Sequence, residues 1–412
     1  QVGEALNADL ALAGTLLAMP THYRLRVEMI VVKDGTQVWI EDMLVSNTKI
    51  PELQWDLVQR LVFRLGGEFS SSELAAAFRA QGSRRPDAYI KFLRGHYEWQ
   101  THERRQMQEG MQCLLQAAEL DPSLASAQVD VANVCVTQEF CGFISPDVAA
   151  RQIRHVEDSI QDVVEHAPEL LPTLGWMSFH VDRDLAAARE MFSLSAHLPH
   201  DPWITRARVM FALSRHRFDE AFEWLHGALA IDPFAPWLHA RLAWAYHLSG
   251  QSAQSVTQIE KTLSMFPDHE AGRFYGAVIL GFNGQAARAG DLAQSLERRT
   301  PFLDIAGAIH AYALARSGKI DEAHDILERL QWLSRERFVL RSFTSAAYAS
   351  LGDRNEAIAE LHAAEEAHCP WFFQILADPR MAPLEGDPEF MRMRGILEEM
   401  EAKAAARAES SS

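Results

Sequence analysis

One spacing constrains this chain more than any other feature. The helical pattern is interrupted at Asp182, His216, Gly250, Gly284, Gly318 and Gly352, each 34 residues after the one before. Five residues after each break stands a small residue: Ala187, Ala221, Ser255, Ala289, Ala323 and Ala357. Seven residues before it stand Gly175, Val209, Ala243, Ala277, Ala311 and Ser345. Seventeen residues after it come Pro199, Pro233, Pro267 and Pro301, then Arg335, then Cys369 with Pro370 beside it.

Helix geometry gives each column a purpose. Glycine at a break can take the left-handed conformation that ends one helix and lets the next fold back. Small residues on both sides let the two helices cross closely. Proline cannot continue a helix but suits a first turn, so it divides one hairpin from the next. A lone hairpin cannot bury its apolar face, and successive units must therefore stack.

This period and these columns resemble the tetratricopeptide repeat (TPR). The expected fold is mainly α, a right-handed TPR solenoid of about eight helical hairpins behind a small, incomplete α/β domain. Six regular units cover 168–371. Two divergent units fill 86–167, the second with an insertion at 137–146. The insertion holds Phe140, Cys141, Phe143 and Ile144, which either tuck onto the solenoid or touch something else. Residues 372–404 read as a C-terminal cap and 405–412 as a disordered tail.

Residues 1–66 carry a different pattern. Leu10 to Met19, Tyr23 to Val32 and Gln37 to Val45 are β-rich runs, separated by Pro20-Thr21-His22 and Lys33-Asp34-Gly35-Thr36. Polar and apolar residues alternate from Arg24 to Met29, as in a half-buried strand. A short helix is expected at Val2 to Asn7. A second, from about Pro51, spaces Leu53, Leu57, Leu61 and Leu65 on one face. The Gly, Ser and Pro punctuation of 67–85 reads as a linker around a brief helix at Glu73 to Arg79.

Two more stretches carry a resemblance. Val2-Gly3, Leu6, Asp9, Leu12, Gly14, Arg24 to Val27, Asp34-Gly35-Thr36 and Trp39 are similar to a TolB-N-like domain, and Trp371-Phe372-Phe373 through Pro388-Glu389-Phe390 resembles the cap of bacterial regulators that join it to TPRs. The opening strand and helix of that domain are missing, and Ala13 stands where an acidic residue is usual. In CadC-like members a winged-helix DNA-binding domain lies upstream, sometimes across a membrane span. Since the chain starts at Gln1 within a structured element, it reads as a piece of a longer protein. The resemblance implies a sensor module, cytoplasmic or on the periplasmic side of a membrane-tethered regulator. A TPR scaffold with no sensing role is the alternative.

Composition narrows the partners. A formal charge of −17 repels phosphate backbones, so any DNA contact belongs to another domain. No apolar run is long enough to span a bilayer. Cys113, Cys135, Cys141 and Cys369 form no CxxC pair; buried thiols are expected, with a Cys135–Cys141 disulfide left open.

In a TPR solenoid the first helix of each hairpin lines the concave face. The positions that point inward hold Trp176, Phe179, Trp203, Arg206, Met210, Trp237, Trp244, His247, Phe274, Tyr312 and Arg316. Such types bury large areas and dominate interface hot spots, so the groove suits an apolar peptide, a protein partner or a small effector. The other reading is that the rings pack adjacent helices together. The Lys/Asn carboxylate clamp of chaperone-binding relatives is absent: its columns hold residues such as Pro172, Ala240 and Ser342.

Catalytic signals are lacking. There is no GxSxG elbow, phosphate-cradling loop or HExxH helix, and no cofactor is implied. His362, Glu365, Glu366, His368 and Cys369 read as a solvated face, and His197 with His200 as a loop pair, not as metal ligands.

Overall fold

A computed structural model describes residues 8–46, 49–65, 85–100, 104–160, 163–198, 201–300 and 303–411. The expected helices at 2–7 and 73–79, nearly all of the linker, and Pro199, His200 and Pro301 lie outside the described residues. The chain divides into two compact units, Gln1–Val131 and Ala132–Ser412.

The first unit opens with an antiparallel meander, β1 (Leu10–Ala18), β2 (His22–Val31) and β3 (Gln37–Ser46). Its second turn works because Gly35 takes φ 73° and the Asp34 carboxylate accepts from the Thr36 N–H at 2.9 Å. A bulge between Met29 and Ile30 shifts the β2–β3 register. Leu12 of β1 and Trp39 of β3 flank Met29, which is buried with Val27 and Met43. Helix α1 (Ile50–Arg64) joins the β3 side, where Arg60 pairs with Glu41 and Arg64 Nη2 donates to the Val38 carbonyl. Leu53, Leu57 and Leu61 are half-buried on it. Leu65 falls beyond the helix end and is exposed, contrary to the four-residue pattern.

Helices α2 (Pro86–Trp99) and α3 (Arg104–Leu120) follow, crossing at two glycines. A Cβ on Gly95 would stand 2.8 Å from the Gly110 carbonyl and 2.7 Å from Leu114 Cγ. Only glycine permits this approach. Helix α4 (Ala125–Phe140) contains the division between the units.

The second unit is a ladder of helical hairpins. Helix α5 (Pro146–Ser159) pairs with α4 across Gly142 at φ 76°. The expected insertion is therefore the end of α4 plus a tight turn, and Phe140 tucks in at 3% exposure. Then come α6 (Leu171–His180) with α7 (Leu185–Leu194), α8 (Pro202–Ser214) with α9 (Phe218–Ile231), and α10 (Pro236–Leu248) with α11 (Ser252–Met265). These are followed by α12 (Glu270–Phe282) with α13 (Ala286–Arg299), α14 (Asp304–Arg316) with α15 (Ile320–Leu333), and α16 (Arg341–Leu351) with α17 (Arg354–Glu366).

The break column takes the left-handed conformation: His216, Gly250, Gly284, Gly318 and Gly352 all have positive φ. The first break is one residue later than the spacing implies, at Arg183 instead of Asp182, and its fully buried partner is Ala188. Ala221, Ser255, Ala289, Ala323 and Ala357 are fully buried, as close helix crossings require. The chain is thus mainly α, a TPR-type solenoid behind a small three-stranded sheet.

The column continues beyond the sixth regular unit. Gly386, 34 residues after Gly352, has φ 85°. It separates α18 (Phe372–Leu376) and a 3₁₀ turn (Pro379–Leu384) from α19 (Pro388–Ser411). What the sequence suggests as a cap is one more hairpin, degenerate in its first helix. The expected disordered tail at 405–412 is a correction: α19 runs to Ser411, with Ala404 buried and Arg407 paired with Asp184 at 2.8 Å.

Candidate binding groove and the segment that fills it

The first helices of the hairpins explain the site. Helices α6, α8, α10 and α14 are apolar round most of their circumference, and most residues in them are buried. A helix buried on all sides has a neighbour on its inner face too. That neighbour is the chain's own segment after α17.

His368, at φ 49°, turns the chain inward from α17. The Trp371 ring then packs edge-on to Phe140 (5.3 Å) and Phe343 (5.2 Å), and its Nε1 donates to the Phe140 carbonyl at 3.0 Å. Phe373 meets Phe179 at 5.0 Å, with the Arg183 guanidinium 4.3 Å above its ring. The Phe373 carbonyl accepts from His216 Nε2 at 2.8 Å. Gln374 satisfies both ends of its amide: Oε1 accepts from Trp244 Nε1 at 3.0 Å, and Nε2 donates to Ser214 Oγ at 3.3 Å. Asp378 closes the set, 3.1 Å from His247 Nε2 and paired with Arg380 at 2.7 Å. The Arg380 guanidinium lies 4.9 Å over the Tyr312 ring.

Burial alone would raise the Asp378 carboxyl. The adjacent Arg380 and His247 outweigh it and hold the group well below the usual carboxylate range. A second buried pair anchors the early side of the groove. His180 Nδ1 faces the Trp176 carbonyl at 2.8 Å, and Nε2 lies 2.6 Å from Glu139 Oε1. Because a carbonyl only accepts, Nδ1 is the donor to Trp176.

The residues expected to line the groove are thereby located. Trp176, Phe179, Met210, Trp244, His247 and Tyr312 are all 1% exposed or less. Trp203 is also buried, its Nε1 donating to Thr173 Oγ1 at 3.0 Å. Phe274 is half-buried, 6.0 Å from the Trp371 ring. Arg206, half-buried, stacks over Trp203. Trp237 is half-buried, and Arg316 is exposed with its Nε donating to the Gly281 carbonyl. The structure brings Trp176, Phe179, Trp244, Phe274 and Tyr312 around residues 371–380, while Trp203 is engaged with Thr173 and Arg206 instead. Sequence reasoning missed that occupant; the run Trp371-Phe372-Phe373-Gln374-Ile375-Leu376, more apolar than a surface helix needs, is the signal for it.

The His362 cluster lines an open surface pocket with Arg183, Glu365, Glu366, His368, Arg392, Ile396 and Glu399. His362 faces Glu389 and Glu365 pairs with Arg392, while Cys369 points away, its Sγ 3.2 Å from Ser342 Oγ. Among the described residues no group of three or more His, Cys, Asp and Glu could hold a metal ion. Likewise no described helix is long and apolar enough to cross a membrane. The four cysteines are free thiols, and Cys135 Sγ donates to Gln152 Oε1 at 2.8 Å.

Comparison with family models and with curated proteins finds no match. Among solved structures the chain is similar to the crystal structure of the TPR domain of P58(IPK), at 13% identity and a TM-score of 0.23, over 77% of this chain and 99% of that one. The solenoid assignment itself stands on the 34-residue hairpins and their left-handed breaks.

Proposed function

We propose that this chain is a non-enzymatic binding module whose concave groove accepts an apolar peptide-like segment, and that it serves as the sensor part of a bacterial transcriptional regulator. One observation carries the groove reading: Trp244, Ser214, His247 and Tyr312 already read a short segment by hydrogen bonds, charge and ring stacking. A partner protein or effector would act by competing with that segment or by loosening it. The regulator role rests on the resemblance to TolB-N-like and CadC-like proteins, with DNA contact left to another domain.

A scaffold without sensing is the second reading, favoured by the same burial: a groove that never opens would leave only outer surfaces for partners.

Reconstitution separates the two. The chain is expressed as residues 1–368, and a labelled peptide of residues 369–387 is added. On the first reading the peptide binds saturably, and Trp244→Phe weakens it about tenfold, as loss of one buried hydrogen bond would. If the shortened chain keeps its helical circular dichroism yet leaves the peptide unbound, the groove is not a binding site and the scaffold reading stands.

A further inference from the structure

Two guanidinium groups inside the second unit lie near enough for the charge of Arg241 to act on Arg206. Arg206 on α8 and Arg241 on α10 stand at nearly equivalent positions of adjacent first helices, 35 residues apart. Arg241 is 7% exposed. Its guanidinium lies 5.4 Å from the Tyr275 ring and 5.5 Å from the Trp371 ring, while Arg206 lies 5.5 Å from that of Trp203.

Arg241 makes no hydrogen bond and no ion pair among the described residues, and its Nη1 is buried without a partner. Arginines buried to the same degree are treated otherwise: Arg208 donates to the Ser195 carbonyl, and Arg380 grips Asp378 through Nε and Nη2. A buried cation with no counter-ion is among the costliest arrangements a fold can hold, and replacing it with an apolar residue is commonly stabilising. Burial, and then the charge of Arg241, push the Arg206 guanidinium down to about 10. An acid in the neighbourhood is Glu270, whose charge reaches Cys141 beside Arg206; the Arg241 guanidinium keeps no counter-ion among the described residues.

We propose that Arg206 and Arg241 form a binding site for a small organic carboxylate, held at Arg241 Nη1 between the rings of Tyr275 and Trp371. Planar, forked guanidiniums match carboxylate geometry, and the flanking rings favour an aromatic body on the acid. The site deepens the binding-module reading and rests on it, because Trp371 opens the segment that fills the groove. A ligand reaching Arg241 must move Trp371, so its binding is coupled to that segment.

The test is thermal unfolding of the full chain with benzoate or indole-3-acetate, each against its uncharged amide at equal ionic strength. At least one acid is expected to raise Tm saturably while its amide does not. Arg241→Met should raise Tm without ligand and abolish the response to the acid; Arg206→Gln should weaken it about tenfold. The proposal is overturned if neither acid acts, if acid and amide act alike, if Arg241→Met retains the response, or if it lowers Tm. Should Arg241→Met fail to fold, Arg241→Lys keeps the charge but loses the fork, and an undiminished response there would be equally fatal. A silent acid beside successful peptide reconstitution sinks only the carboxylate site; the reverse pattern sinks the peptide groove.

Discussion

The indole N–H of Trp244 ends on the side-chain oxygen of Gln374, 3.0 Å away and 130 residues later in the chain. Both side chains are fully buried, and the other end of the Gln374 amide reaches Ser214. A polar side chain is tolerated at the centre of an aromatic groove because both ends of its amide are satisfied.

Gln374→Leu keeps the volume but leaves the Trp244 N–H buried and unpaired, which should cost about 1–3 kcal/mol in urea unfolding. Combining it with Trp244→Phe removes both partners, and the double variant should lose less than the sum of the single losses. Strict additivity would mean that the two residues do not interact.

Asp378 sets an acid limit on the closed state. Its folded value lies below the unfolded carboxyl value of about 3.9. It therefore contributes stability that is present above pH ~4 and lost as pH falls through the lower, folded value. Asp378→Asn should cost about 3–5 kcal/mol at neutral pH by stranding Arg380 and His247. The gap between variant and wild type should narrow as the pH drops below ~4; chemical unfolding from pH 7 to 3 reads it, and a constant gap contradicts this account.

Cys135 should be inert in the folded protein. Burial, helped by Glu139, pushes its thiol up to about 12, and the thiolate is the reactive form. With Ellman's reagent at pH 8 it should react only on unfolding. Rapid native labelling, mapped to Cys135 by mass spectrometry, would contradict the packing of α4 against α5.

Two glycines separate crowding from backbone strain. Gly284→Ala meets no atom but must hold φ 82°, at a cost of about 1–2 kcal/mol. Gly95→Ala has no positive φ to hold, yet its Cβ runs into a backbone carbonyl at 2.8 Å that cannot step aside. The second change should be the more damaging, at about 2–3 kcal/mol of overpacking. Equal Tm losses would mean that α2 and α3 separate freely.

The parts of the fold legible in the sequence are those that local chemistry specifies. A left-handed break favours Gly, and a close crossing needs a small residue such as Ala or Ser, so the columns from His216 to Gly352 place the hairpins to the residue. The register slips by one at the first break, which falls at Arg183. The candidate site was legible only by half. Side-chain types put Trp176, Trp244, His247 and Tyr312 on one surface, but what faces them is fixed by contacts such as Phe140 with Trp371, 231 residues apart. No short-range pattern encodes such a pairing. The hints were helices such as α10 and α14, too apolar all round to have an open side, and Gly386 extending the period past the point where the regular units stop.

That last glycine has an architectural cost. Open repeat arrays can be lengthened or shortened almost freely, because each unit touches only its neighbours. Here the final unit sends its first helix back to units at the other end of the row, and Gln374 has to arrive opposite both Trp244 and Ser214. Adding or deleting one 34-residue module between them would leave the returning helix out of phase with every partner it needs. The number of repeats in this protein is therefore fixed by geometry, much as the number of staves in a barrel is fixed by its lid.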